Sequence, residues 1–285
     1  MNFILHIIIL ACLTLIPALG YNMVFGKGKI LHFGQEGISL IATYSLWALI
    51  VVKGFSYPSA LAASVAATVL IALLFAWLSL RLEPDGFGVL SIAVHLMVLA
   101  IVLNWQEFTR GALGIPGIPR APWPMDLTGF AVVVVIITLL WSIGIWWLDR
   151  GKFGRAIAAL SEHPWHAQSL GIERSRVHTA AFLIAGAGSL LANILYPPYI
   201  FLLSPTDYMF PAMIFLAMIV VAGKPGSVKG TIMATFLLIA LKEALRFVPL
   251  APSILGPVRL ILFGLILLGV VWWRKDSLFP QRRLV

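Results

Sequence analysis

Arg150-Gly-Lys-Phe-Gly-Arg-Ala-Ile-Ala-Ala-Leu-Ser-Glu-His-Pro-Trp-His-Ala-Gln-Ser-Leu-Gly-Ile-Glu-Arg-Ser-Arg-Val-His178 is the one long polar stretch in a chain of 285 residues. It carries five of the 20 lysines and arginines, and apolar runs long enough to cross a bilayer flank it on both sides. A membrane chain with one sizeable loop on its basic side uses that loop to meet something soluble, so the rest of the sequence is read outward from it.

The chain is 61% hydrophobic and only 11% charged, with a mean hydropathy of +1.00. A soluble domain carries about 25% charged residues, so the composition excludes an ordinary globular enzyme. It predicts an all-α, polytopic transmembrane helix bundle in which residues 1–285 form a single domain. The net charge of +9 does not point to nucleic acid. The basic residues are scattered through short loops and form no basic stripe. Cys12, the one cysteine, sits inside the first apolar run and reads as a small buried thiol. The opening Met1-Asn-Phe-Ile-Leu-His lacks the basic n-region of a signal peptide, so the first run is expected to be a transmembrane helix.

About 20 apolar residues cross the ~30 Å hydrocarbon layer at about 1.5 Å each. That rule predicts about nine spans, at 3–24, 31–52, 58–80, 87–103, 128–148, 179–199, 207–222, 229–248 and 256–273. The second contains Gln35, Glu36 and Gly37, and the seventh is short and begins at Asp207. Either can be a broken or re-entrant segment if protein covers its backbone. With the N-terminus outside and the C-terminus inside, fourteen of the 20 basic residues face the cytoplasm and three (Lys53, Arg110, Arg120) face outward. The positive-inside rule selects that orientation and puts loop 150–178 in the cytoplasm.

The outer loop 104–127 is rich in glycine and proline and is not expected to be one continuous helix. Trp105 and Trp123 suit one headgroup zone, and Trp272 and Trp273 the other. A short internal echo links Val24-Phe-Gly-Lys-Gly-Lys-Ile30 with Val221-Ala-Gly-Lys-Pro-Gly-Ser-Val-Lys229, each following an apolar run. Two Gly/Lys turns of this length also match by chance.

No nucleotide-binding G-x-x-x-x-G-K-[ST] occurs, and the Lys224 turn lacks both the first glycine and the following Ser/Thr. There is no zinc-like H-E-x-x-H or Cys/His cluster and no hydrolase G-x-S-x-G. No catalytic residue or metal ligand is therefore expected. Polar residues inside spans are costly and mark candidate solute paths. His32 and Glu36, four apart, are expected to share a helix face and, with Gln35, to line a polar path. The bland alternative is that they are simply wet at the cytoplasmic surface. His95, mid-span, is either a bundle-facing histidine or a fourth path residue. Glu243 and Arg246, with Lys242 beside them, predict a structural ion pair.

Within the polar loop, Pro164 suits a first helical position with His163 before it, and Gly171 after Leu170 suits a helix end. Trp165, Ala167 and Leu170 are expected to supply one apolar side. Too short to be stable alone, such a helix is either a docking element or a loop packed on its own protein or on lipid headgroups.

At this point the residues resemble a family. Phe153-Gly-Arg-Ala-Ile-Ala-Ala-Leu-Ser-Glu162, Ala167-Gln-Ser-Leu-Gly-Ile172 and Thr179-Ala-Ala-Phe-Leu-Ile-Ala-Gly-Ala-Gly188 are similar to the permease subunits of branched-chain amino acid ABC importers. Leu19-Gly-Tyr-Asn-Met-Val-Phe-Gly26, Ile30-Leu-His-Phe-Gly34 and Thr109-Arg-Gly-Ala-Leu-Gly-Ile-Pro-Gly-Ile-Pro119 extend the resemblance over most of the chain. It implies a multi-pass permease of a bacterial-type inner membrane that pairs with a homologous second permease. It also implies two cytoplasmic ATPase subunits, which would hold the ATP and magnesium, and an external substrate-binding protein. The coupling role maps onto Glu162, Pro164, Trp165, Ala167, Leu170, Gly171 and Ile172. Three departures stand out. Pro164-Trp165-His166 replace small and acidic residues, Arg110 stands where glycine is common, and Gln35-Glu36 stand where His-Ala is frequent.

The function this implies is ATP-driven, alternating-access import of a small polar solute: an amino acid, branched-chain types first, with urea or a short amide next. Two rivals remain at this stage. A proton-coupled secondary transporter would use Glu36 as its proton carrier, and a membrane-embedded enzyme would use His32, Glu36 or His95 as acid/base groups.

Overall fold

A computed structural model describes residues 2–119, 126–247 and 252–273. Arg120, Trp123 and the basic tail residues Arg274, Lys275, Arg282 and Arg283 lie outside them, as does the end of the predicted 229–248 span. The protein is a helical bundle. In chain order it comprises α1 (Asn2–Tyr21), continued by a π-helical turn over Asn22–Lys27, then α2 (Gln35–Val51), α3 (Tyr57–Arg81) and α4 (Pro84–Asn104). Next come a single turn, α5 (Gln106–Thr109), the two-residue strand β1 (Ile115–Pro116), α6 (Leu127–Arg150), α7 (Lys152–Glu162), α8 (Pro164–Ser169) and α9 (Arg174–Ile200). Strand β2 (Leu202–Leu203), a 3-10 turn (Pro205–Tyr208), α10 (Phe210–Ala222), α11 (Val228–Ala244) and α12 (Pro252–Trp273) complete it.

A helix falls within each of the nine apolar runs. Among the described residues, five helices, α1, α3, α4, α6 and α9, are long and apolar enough to cross a membrane. The helices start where local chemistry allows. Proline occupies the first turn of α3, α4, α8 and α10. Asp126 caps α6 by accepting the Gly129 N–H at 3.0 Å, and Ser227 caps α11 by accepting the Gly230 N–H at 3.1 Å.

α1 and α9 form the centre. α1 packs on α6, α9 and α11, and α9 packs on α1, α2 and α3. Small residues permit the approach: a Cβ on Gly20 of α1 would lie 3.0 Å from the Ala185 Cα of α9. Residues 105–119 form no continuous helix, as expected, but break into α5, a 3-10 turn and β1, which pairs antiparallel with β2.

Two expectations are corrected. Residues 28–34 are not helical, so α2 begins at Gln35, and His32 and Glu36 share no helix face. The backbone there finds other partners: Phe33 N–H donates to Ser91 Oγ at 2.8 Å, and the His32 carbonyl accepts from Tyr21 Oη at 2.8 Å. Those bonds replace the helical ladder the segment would otherwise need. The seventh segment also starts late, at Phe210. At 17 and 13 residues, α2 and α10 are about 25 Å and 20 Å long, less than the ~30 Å hydrocarbon layer by helix alone.

Candidate functional site

A cavity of about 670 Å³ lies where the short helices α2 and α10 begin, walled also by α1, α9, α11 and α12. Its charged lining among the described residues is Glu36 from the first turn of α2, Asp207 from the 3-10 turn and Lys242 from α11. Tyr196 of α9 donates its hydroxyl to Asp207 Oδ2 at 3.2 Å. Leu13 and Pro17 of α1 line it too. Pro17 has no N–H to give the carbonyl of Leu13 four residues earlier, so α1 lacks one backbone hydrogen bond on this wall while remaining helical. Much of the remaining surface is apolar, with Ala212, Phe215 and Leu216 contributed by α10.

Of the four path residues expected from sequence, only Glu36 lines this cavity. Gln35 turns the other way and is buried, its Nε2 donating to Ala185 O at 3.0 Å and to Ser189 Oγ at 2.8 Å. It ties the start of α2 to α9. His32 is fully buried in a ring cluster of Tyr21, Phe75, Phe87 and Phe182, and neither ring nitrogen has a partner among the described residues. His95 is buried on α4 where it passes α2; a Cβ on Gly37 would come within 3.2 Å of its Cα. The structural ion pair forms, with Arg246 Nη1 donating to the buried Glu243 Oε2 at 2.9 Å.

The polar loop folds into α7, α8 and the first turn of α9. α8 runs from Pro164 to Ser169, and Gly171 follows with φ +81°, a left-handed conformation that glycine adopts without strain. Trp165, Ala167 and Leu170 do not share one side, which corrects the sequence reading. Ala167 is 3% exposed and faces inward, whereas Trp165 and Leu170 are 85% and 82% exposed. Ala167 packs in the cluster that holds Phe75, Phe87 and Phe182, with Ile172 at its margin. Glu162, Pro164 and Gly171 are exposed. α8 is thus a knob with one buried foot and two large apolar side chains in the open.

Comparison with known proteins decides the family. The profile described as "Branched-chain amino acid transport system / permease component" matches residues 3–271. The chain belongs to that permease family. Among similar proteins, the high-affinity branched-chain amino acid transport system permease protein LivM is 27% identical over 94% of this chain and 68% of its own length in Salmonella typhimurium. LivM of Escherichia coli K12 is 27% identical over 96% of this chain and 69% of its own. The high-affinity branched-chain amino acid transport system permease protein LivH of the same strain is 24% identical over 88% of this chain and 87% of its own. No solved structure matches the chain significantly.

The permease is a multi-pass membrane protein and a transport subunit, not an enzyme. Among its described residues, no group of three His, Cys, Asp or Glu side chains is placed to hold a metal ion. The motif residues that carried the resemblance have structural reasons. Gly20 admits α9, Asn22 Oδ1 accepts the Gly226 N–H at 2.9 Å, and Gly188 sits 3.1 Å from the Ile16 carbonyl, measured from the Cβ it lacks. The permease residues that sequence reasoning missed at the cavity are Asp207, Lys242, Tyr196 and Asn193. Asp207 was visible only as the start of a short apolar run, and Lys242 only as a neighbour of the Glu243 pair. Nothing in linear spacing joins them to Glu36.

Proposed function

We propose that this permease is one membrane subunit of an ATP-driven ABC importer that moves amino acids, branched-chain types first, by alternating access. It works as a single unit of about nine crossings, with the N-terminus outside and loop 150–178 in the cytoplasm of an inner-membrane-type bilayer. The fourteen-to-three distribution of basic residues supports that orientation. The named relatives LivM and LivH are two permease proteins of branched-chain amino acid systems, which supports pairing with a homologous second permease. Two ATPase subunits, holding ATP and magnesium, would grip the loops from inside, and a binding protein would deliver solute outside.

The observation that carries the reading is α8. A short surface helix that exposes Trp165, with Leu170 exposed just past its end, while anchoring Ala167 has the form of a docking knob. Glu162, Pro164, Gly171 and Ile172 frame it. The path would run past Glu36, with His32, Gln35 and His95 holding α2 in place behind it. Deleting residues 164–171 from the assembled importer should abolish ATP-driven uptake while leaving membrane insertion intact. Normal uptake by that variant, or uptake by the purified chain under a pH gradient without any ATPase, would overturn the proposal.

A further inference from the structure

The importer reading does not say which part of the solute this chain recognises. We infer that the cavity takes its solute by a free ammonium group, held between the Glu36 and Asp207 carboxylates, with a solute carboxylate secondary and directed to Lys242. The inference rests on the importer reading above and names the chemistry of its site.

Ionisable side chains on the wall of a membrane helix bundle are costly and persist where something compensates them. Among the described residues the lining carries both signs, two carboxylates and one ammonium. That pattern suits a zwitterion and wastes its charges on urea or a neutral amide. When ionised, the carboxylates outnumber the Lys242 ammonium, so the positive end of the solute completes the site and the negative end is the dispensable one. Two polar neighbours, Asn193 and Tyr196, are already engaged within the protein. Asn193 spends its Oδ1 on the Tyr208 hydroxyl and its Nδ2 on the Ser189 carbonyl, and the Tyr196 hydroxyl is donated to Asp207. The apolar wall of Leu13, Ala212, Phe215 and Leu216 accepts an aliphatic side chain. A volume of about 670 Å³ falls in the ~300–1,000 Å³ range of small-molecule sites.

The test is equilibrium binding of radiolabelled leucine to the assembled membrane complex without its delivery protein, with leucinamide and the corresponding α-keto acid as competitors. Leucinamide should compete within about tenfold of leucine, and the keto acid about a hundredfold more weakly, since it forfeits charge-assisted contacts. Glu36→Gln and Asp207→Asn keep side-chain shape and should each weaken leucine about tenfold, with thermal unfolding unchanged. Equal competition by the keto acid, unchanged affinity in both variants, or no saturable leucine binding overturns the inference. ATP-driven uptake by the same preparation separates the two failures. If it persists while the binding pattern fails, this inference falls and the importer stands; if the unmodified complex shows none, the importer reading falls.

Discussion

Asn22 Oδ1 accepts the backbone N–H of Gly226 at 2.9 Å and so joins two Gly-Lys turns that are 204 positions apart. Gly26, in the first turn, passes so close that a Cβ there would fall 2.6 Å from the Gly226 nitrogen. Each turn also holds a lysine with a left-handed backbone, Lys29 at φ +51° and Lys224 at φ +71°. The short repeat noticed in the sequence is therefore two halves of one contact, between the end of α1 and the α10–α11 connection.

Asn22 is fully buried, so removing its side chain strands a donor inside the protein. Asn22→Ala should lower stability by about 1–3 kcal/mol, seen as a lower thermal midpoint of the detergent-solubilised chain. An unchanged midpoint would show that this bond carries no weight.

Glycine matters sharply in one place and hardly at all in another. A Cβ on Gly230 would sit 1.5 Å from the Gly223 carbonyl oxygen, where backbone must move, whereas one on Gly86 meets nothing within 4 Å. Gly230→Ala should sharply reduce the folded protein recovered from membranes. Gly86→Ala, in the first turn of α4, should be neutral or stabilise by up to about 1 kcal/mol. Equal recovery of the two variants would contradict the α10–α11 packing.

Arg110 adopts φ +59°, the left-handed region in which a side chain costs about 1–2 kcal/mol. Arg110→Gly should raise the thermal midpoint by relieving about 1 kcal/mol, without altering uptake. Glycine adopts this conformation without that cost. A fall in the midpoint would mean that the guanidinium makes a compensating contact.

The two exposed side chains of α8 provide a variant that separates docking from folding. Trp165→Ser combined with Leu170→Ser should leave thermal unfolding within about 0.5 kcal/mol, as for other exposed positions, and should cut solute-driven ATP turnover of the complex at least about tenfold. Ala167→Leu should do the reverse, destabilising by about 1–3 kcal/mol through overpacking. Full coupling in the double variant would remove the docking assignment.

The length of the apolar runs located the apolar helices of the described residues, because long runs of aliphatic residues leave no other satisfied backbone conformation in lipid. The bounds of α8 were legible too, since Pro164 and Gly171 act locally. The Glu243–Arg246 pair was legible because three-residue spacing decides that contact. The cavity was not legible. A spacing argument assumes an unbroken helix from 31 to 52, but residues 32 and 33 are not helical and bond to Tyr21 and Ser91 instead. That leaves His32 among aromatic rings and turns Glu36 alone toward the space. Asp207 and Lys242 reach it from segments about 170 and 200 positions further on, a meeting set by how α10 and α11 pack rather than by any pattern along the chain.

The buried foot of α8 has a mechanical consequence. Ala167 sits in the same continuous apolar cluster as Phe182, Phe75 and Ile38, and Ile38 lies two residues beyond Glu36. An interior packed to crystalline density has no slack to absorb a pull. Under the proposed coupling, force applied at Trp165 and Leu170 would be handed on to the start of α2, and the stiffness of that aromatic block would set how much of the stroke arrives.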